Sequence, residues 1–225
     1  MNISENPYNR HKSSREEGIR ACNGPDAPHS QDCNTHEESM EPESLCLHGG
    51  YTPGNGEPRV LPIAQSTTFT YESTAAVARL FDLQDEGFFY TRLANPTIDA
   101  VERKIAELEG GVGALCTASG QAANLLAILN VARSGDHIIS TASIYGGTFN
   151  LFAVTLKKMG IEVTFVDQTA PDAEIEKAIR PETRAIFGET LTNPSLDVLD
   201  IERMAALAHR HGLPLIVDNT FATPI

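Results

Sequence analysis

From Pro96 onward, short apolar stretches alternate with amphipathic ones, which predicts an α/β fold with a mostly parallel sheet and helices on both faces. Two further observations agree with that class. Helix starts are marked by capping residues, as at Asn95-Pro96, with Asn as cap and Pro in the first turn. Several apolar stretches end in polar residues, where open α/β sheets bind their ligands.

The elements can be justified in chain order. Ser73 is a good cap for a helix running to about Leu83. Phe88 to Asn95 reads as an extended loop. Ile98, Val101, Ile105 and Leu108 then recur at helical spacing, and Gly110-Gly111 stop that helix. The expected order that follows is strand 113–117, helix 120–133, strand 136–140, helix 147–159 and strand 161–166. Helix 171–180, strand 184–189, helix 200–212 and strand 213–218 complete it. His137 opens a strand and is expected at its exposed edge.

Before Pro96 the chain is less regular. Residues 1–44 hold four basic and nine acidic residues, and almost no large apolar ones, so a disordered tail is expected there. In residues 45–95, frequent Gly and Pro forbid long regular elements.

Composition excludes several classes. The 225 residues are 41% hydrophobic and 21% charged, ordinary for a globular chain. The net charge of -13 argues against nucleic acid or an anionic membrane as partner, since phosphate contacts need a basic face. No apolar run could span a bilayer, and Met1 to Gly18 has no secretory apolar core, so a cytoplasmic location is expected. Cys22, Cys33, Cys46 and Cys116 include no close pair, so no metal site is expected and reduced thiols are the simpler reading.

Chemistry collects at the strand ends. Ser119-Gly120-Gln121 opens a helix, where free backbone N–H groups and the helix dipole suit a phosphate; a plain cap is the alternative. No dinucleotide or P-loop signature is present. Tyr145 stands before Gly146-Gly147, where a ring could lie over a ligand and a phenol move a proton, or simply pack in the core. Asn193 could offer an amide to a ligand or serve as a turn residue before Pro194. Asp218 closes an apolar strand, where burial is unfavourable without a cationic partner such as a protonated pyridine; a helix cap is the alternative.

Five stretches carry a resemblance. They are Tyr90-Thr91-Arg92-Leu93-Ala94-Asn95-Pro96-Thr97, Ser119-Gly120-Gln121-Ala122-Ala123, Tyr145-Gly146-Gly147-Thr148, Thr192-Asn193-Pro194 and Val217-Asp218-Asn219-Thr220. In this order they resemble the Cys/Met-metabolism family of pyridoxal-phosphate enzymes, which have the type I aminotransferase-like fold. Leu47 to Tyr51, Arg79 to Leu83 and Phe187 to Thr190 resemble its O-acetylhomoserine sulfhydrylases in particular. The resemblance implies pyridoxal 5'-phosphate as cofactor, with O-acetylhomoserine and sulfide or a thiol as substrates. Methionine γ-lyase and cystathionine γ-synthase share most of these motifs and are the alternatives it implies.

Site roles follow from the resemblance. Gly120 and Gln121 would give backbone N–H groups to the cofactor phosphate. Tyr90 and Arg92 would bind that phosphate from a neighbouring subunit of a dimer-based tetramer, the guanidinium fork matching its oxygens. Tyr145 would stack on the pyridine and assist proton transfer. Asp218 would pair with the pyridine N–H, Asn193 with the ring hydroxyl, and Thr220 would support that network. Residues 45–95 would be an arm contacting the neighbouring subunit. Residues 96–225 would be the first, incomplete part of the cofactor-binding domain, the fold stopping before its C-terminal part. The family's Schiff-base lysine lies in a Ser-Xaa-Thr-Lys motif after this point. None of the five lysines here has that context, so the 225-residue chain by itself is expected to be inactive; a truncated, non-catalytic chain that at most joins intact subunits is the alternative of another class.

Overall fold

Capping decides where most helices begin. The computed structural model describes residues 40–224. Helix α1 spans Pro42–His48, so its first turn falls inside the stretch expected to be a disordered tail. Residues 1–39 of that tail lie outside the described residues. Helix α2 (Thr74–Phe81) starts where the Ser73 hydroxyl accepts from the Ala76 N–H at 3.1 Å. Helix α3 (Pro96–Leu108) starts where the Asn95 side chain accepts from Thr97 N–H at 2.9 Å. Helix α4 (Gly120–Val131) is capped by Ser119, whose hydroxyl accepts from Ala122 N–H at 3.1 Å. Each cap satisfies a backbone donor that the helix cannot.

The sheet contains β1 (His137–Thr141), β2 (Glu162–Val166), β3 (Thr183–Glu189) and β4 (Leu215–Asp218). Its order is β2-β1-β3-β4, and every pairing is parallel. Alternation along the strands sends side chains to two separate cores. Ile138, Ala185 and Phe187 pack with Ile128 of α4 and with Phe152 and Leu156. Ile139 and Ile186 pack on the opposite face with Ile175, Met204 and Leu207. Helices therefore cover both faces, as expected of a parallel sheet buried on both sides. Gly188 of β3 leaves room for Leu199: a Cβ there would lie 2.8 Å from Leu199 Cδ2.

The remaining helices are shorter or less regular than their sequence pattern. Helix α5 (Gly146–Asn150) continues into a π-helical segment, Leu151–Leu156, before returning to α geometry. Helix α6 covers only Asp172–Glu176. Beyond it the N–H groups of Ala178 and Ile179 reach back three residues, and Arg180 N–H turns to the Thr183 hydroxyl. Pro181 disfavours helical backbone at Arg180, which explains the early stop. Helix α7 (Ile201–Arg210) is capped by Asp200, which accepts from Arg203 N–H at 3.0 Å.

Two expectations are corrected. Residues 113–117 form no strand: they pair with nothing in this sheet, and Leu115 is 76% exposed. Apolar composition suits a strand, but a ladder also needs a neighbouring backbone. His137 is not at an exposed edge. It lies on a strand paired on both sides and is 1% exposed, with Nδ1 2.8 Å from Thr183 Oγ1 and Nε2 2.9 Å from Thr164 Oγ1. Burial is the main cause holding its pKa below the ordinary histidine value, and the Arg180 charge adds to it.

Candidate active site

The C-terminal ends of β3 and β4 and the N-terminus of α4 enclose a cleft of about 320 Å³. Gly120, Gln121, Tyr145, Asn193, Asp218 and Thr220 line it, together with Ser119, Asn124, Glu189 and Phe221. Six of the eight residues singled out in the sequence are thus brought together. Tyr90 and Arg92 are not among its lining residues. They sit side by side in the arm, with the Arg92 guanidinium 5.4 Å from the Tyr90 ring centroid.

Gly120 and Gln121 are the first two residues of α4, so their N–H groups have no acceptor within the helix. A Cβ at Gly120 would meet nothing within 4 Å, leaving the approach to those donors open. The Gln121 side chain is anchored away from them, its Nε2 donating to Thr148 Oγ1 at 2.9 Å.

Tyr145 immediately precedes α5 and is 48% exposed. A Cβ at Gly147 would lie 2.5 Å from Tyr145 Cε1, so the second glycine is what admits the ring in this position. Its backbone N–H donates to Glu189 Oε2 at 2.6 Å. Glu189 is 4% exposed, and the nearby backbone N–H of Asn193 also favours its ionised form. The bond to Tyr145 ties the end of β3 to the turn that opens α5. Burial raises the Glu189 pKa above the ordinary carboxyl range, and the charge of Asp218, its partner in the β3–β4 register, raises it further. The two backbone donors act in the opposite direction but do not prevail.

Asp218 closes β4. Its Oδ1 accepts from the Thr220 hydroxyl and from Thr220 N–H at 3.2 Å, and its Oδ2 accepts from Asn124 Nδ2 at 3.0 Å. The sequence called for a cationic partner here. The structure supplies neutral donors, and among the described residues no lysine or arginine lines the cleft. The cleft thus sets helix N–H donors, a half-exposed aromatic ring, an amide and an ionisable carboxylate without a cation around one space. That donor set suits a planar ligand with an anionic group and a protonated ring nitrogen.

Comparison with known proteins bears on which ligand. Residues 43–225 match the family described as Cys/Met metabolism PLP-dependent enzyme. The chain belongs to that family. Its cofactor is pyridoxal phosphate, and the fold above is part of the type I aminotransferase-like fold expected from the resemblance. An O-acetyl-L-homoserine sulfhydrylase of Leptospira meyeri is 47% identical over 187 residues, covering 83% of this chain and 42% of that protein. A homocysteine/cysteine synthase of Kluyveromyces lactis is 44% identical over 181 residues, covering 80% and 40%. A Campylobacter jejuni structure solved as an O-acetylhomoserine (thiol)-lyase superposes with a TM-score of 0.77 at 40% identity. That alignment covers 82% of this chain and 45% of the other, which carries N'-pyridoxyl-lysine-5'-monophosphate. A cystathionine γ-lyase of Lactobacillus plantarum, complexed with L-serine, gives 0.73 at 39% identity, covering 82% and 46%. The chain therefore spans less than half the length of the relatives it matches.

Sequence reasoning gave no role to three residues of this family member's cleft and its support. Glu189 ends an apolar strand as Asp218 does, and the same argument would have found it. Asn124 lies three residues after Gln121, hence on the same helix face, and both reach Thr148. Thr148 is 1% exposed and carries no sequence signal beyond its place in the Tyr145-Gly146-Gly147-Thr148 stretch.

Proposed function

We propose that the chain forms the cofactor-binding part of a pyridoxal-phosphate-dependent sulfhydrylase, which converts O-acetylhomoserine and sulfide to homocysteine and acetate in the cytoplasm. The observation that carries the reading is the convergence of Gly120, Gln121, Tyr145, Asn193, Asp218 and Thr220 on one cleft, at the positions the family resemblance assigns to cofactor contact. The sulfhydrylases among its relatives support the finer assignment.

Each residue has a task in this reading. The bound cofactor supplies an electron sink for charge developing on the amino-acid substrate. Gly120 and Gln121 direct their N–H groups, with the positive end of the α4 dipole, at the phosphate. Asp218 holds the pyridine N–H and balances its charge. Thr220 holds Asp218, and Asn193 bonds the ring hydroxyl oxygen. Tyr145 lies against the pyridine, and its phenol hands a proton to the departing acetate oxygen. Tyr90 and Arg92 act on the phosphate bound by a neighbouring subunit, which explains why they sit apart from the cleft of their own chain. Among the described residues no lysine lines the cleft to hold the substrate amine, and a dimer-based tetramer is the proposed working assembly.

The test is an assay of the complete protein encoded by the natural reading frame. With O-acetylhomoserine and sulfide, homocysteine and acetate are expected. Release of 2-oxobutyrate and methanethiol from methionine, without homocysteine formation from O-acetylhomoserine, would overturn the sulfhydrylase assignment in favour of a γ-lyase.

A further inference from the structure

Among the described residues, Asn124 is the side chain that hydrogen-bonds both Asp218 and the α5 segment behind Tyr145. It lies on α4 and is 9% exposed. Its Nδ2 donates to Asp218 Oδ2 at 3.0 Å and to Thr148 Oγ1 at 3.2 Å. Both amide hydrogens are thereby committed, and the amide is held nitrogen-first toward the carboxylate, because its oxygen would repel it. Thr220 holds the other carboxylate oxygen. A carboxylate rotates easily about its last torsion, so one held oxygen leaves its plane free and two fix it. Each oxygen keeps lone-pair capacity for a further donor.

The chemical type of the donor matters as much as its place. An arginine or lysine here would fix the carboxylate but also neutralise it. An amide fixes it and leaves its charge for a ligand. The helix adds a second constraint. Asn124 stands four residues after Gly120, roughly 6 Å along α4 at the usual rise. One rigid element therefore sets both the free N–H groups at one end of the cleft and the carboxylate at the other.

We propose that Asn124 is a positioning residue that fixes the plane of the Asp218 carboxylate for a protonated pyridine nitrogen, without taking up its charge. The inference rests on the cofactor reading above.

Pyridoxamine 5'-phosphate tests it, because this ligand needs no lysine to bind. The full chain is titrated with ligand labelled with 15N in the ring, and the shift against pH reports whether the ring nitrogen is protonated. The titratable groups facing the cleft are Asp218, Glu189 and Tyr145. The wild type is expected to keep the ring protonated to higher pH than free ligand. In N124A, which suits a helix, the titration should move down by about one pH unit and Kd should rise about tenfold, the size of one charge-assisted hydrogen bond. N124L serves as a second variant of fuller volume. D218N should abolish the protonation, and N124A/D218N should match D218N, because Asn124 acts through Asp218. Additive effects in the double variant, or a titration and Kd in N124A and N124L equal to wild type, would overturn the inference while leaving the cofactor reading intact. Failure of folded wild type to bind pyridoxamine 5'-phosphate would overturn both.

Discussion

Replacing Glu189 tests whether a single buried carboxylate holds the rim of the cleft together. It accepts from Tyr145 N–H at 2.6 Å and is 4% exposed. In E189A that backbone donor loses its acceptor, and leaving a buried donor unpaired costs roughly 1–3 kcal/mol. Removing a carboxylate from a buried position beside Asp218 offsets part of that loss. A net destabilisation of about 1 kcal/mol is therefore expected, measured by denaturant unfolding of the chain. E189Q keeps one carbonyl acceptor and should lose about half as much. The pH dependence carries an independent sign. The folded-state pKa of Glu189 is raised, so the folded chain holds this proton more tightly than the unfolded one. Its contribution is fully present below the ordinary carboxyl value of 4.5, and is lost as pH rises through the raised folded value. E189Q should remove that fall. If E189A unfolds within about 0.5 kcal/mol of wild type, it behaves as a surface site and the bracing role is wrong.

Three further outcomes are expected. His137 is kept neutral with a lowered pKa, so the unfolded chain takes up its proton first. Stability from this residue should be complete above 6.5 and decline as pH falls toward the lowered folded value, a decline absent from H137N. G188A places a Cβ 2.8 Å from Leu199 Cδ2 and 3.5 Å from Thr141 Cγ2, and thermal unfolding should report a loss of about 1–3 kcal/mol. If Tyr90 and Arg92 act across subunits, inactive R92A and D218A forms of the complete protein, mixed and reassembled, should regain up to about a quarter of wild-type activity; no regain would place Arg92 in its own subunit's site.

What the sequence disclosed depended on whether the signal was local. The strand at Thr183–Glu189 and the helix at Ile201–Arg210 were legible because periodicity and caps lie within each segment. The end of α6 was misread because the apolar positions Ala178 and Ile179 continue the pattern while Pro181 stops the backbone. His137 was misplaced because its two threonine partners come from strands 27 and 46 residues away. Glu189 was legible as a strand-end carboxylate, but its acceptor function was not, because the Tyr145 N–H it accepts from lies 44 residues earlier.

The segment at residues 113–117 and the carboxylate of Asp218 make the same physical point in opposite ways. Apolar side chains at Val112 and Leu115 report a demand for cover, yet they do not name the element that meets it. Among the described residues none does, and Ile98, Val101 and Ile105 of α3 likewise stay partly exposed. At Asp218 the demand was for a cation. The fold meets the geometric half, with Asn124 and Thr220 holding one oxygen each, and among the described residues leaves the charge without a lysine or arginine at the cleft. Hydrogen bonds from neutral groups orient a carboxylate but do not cancel its charge. The countercharge then has to arrive with whatever occupies the cleft, which is why an aspartate held only by neutral donors favours a ligand that brings its own positive charge.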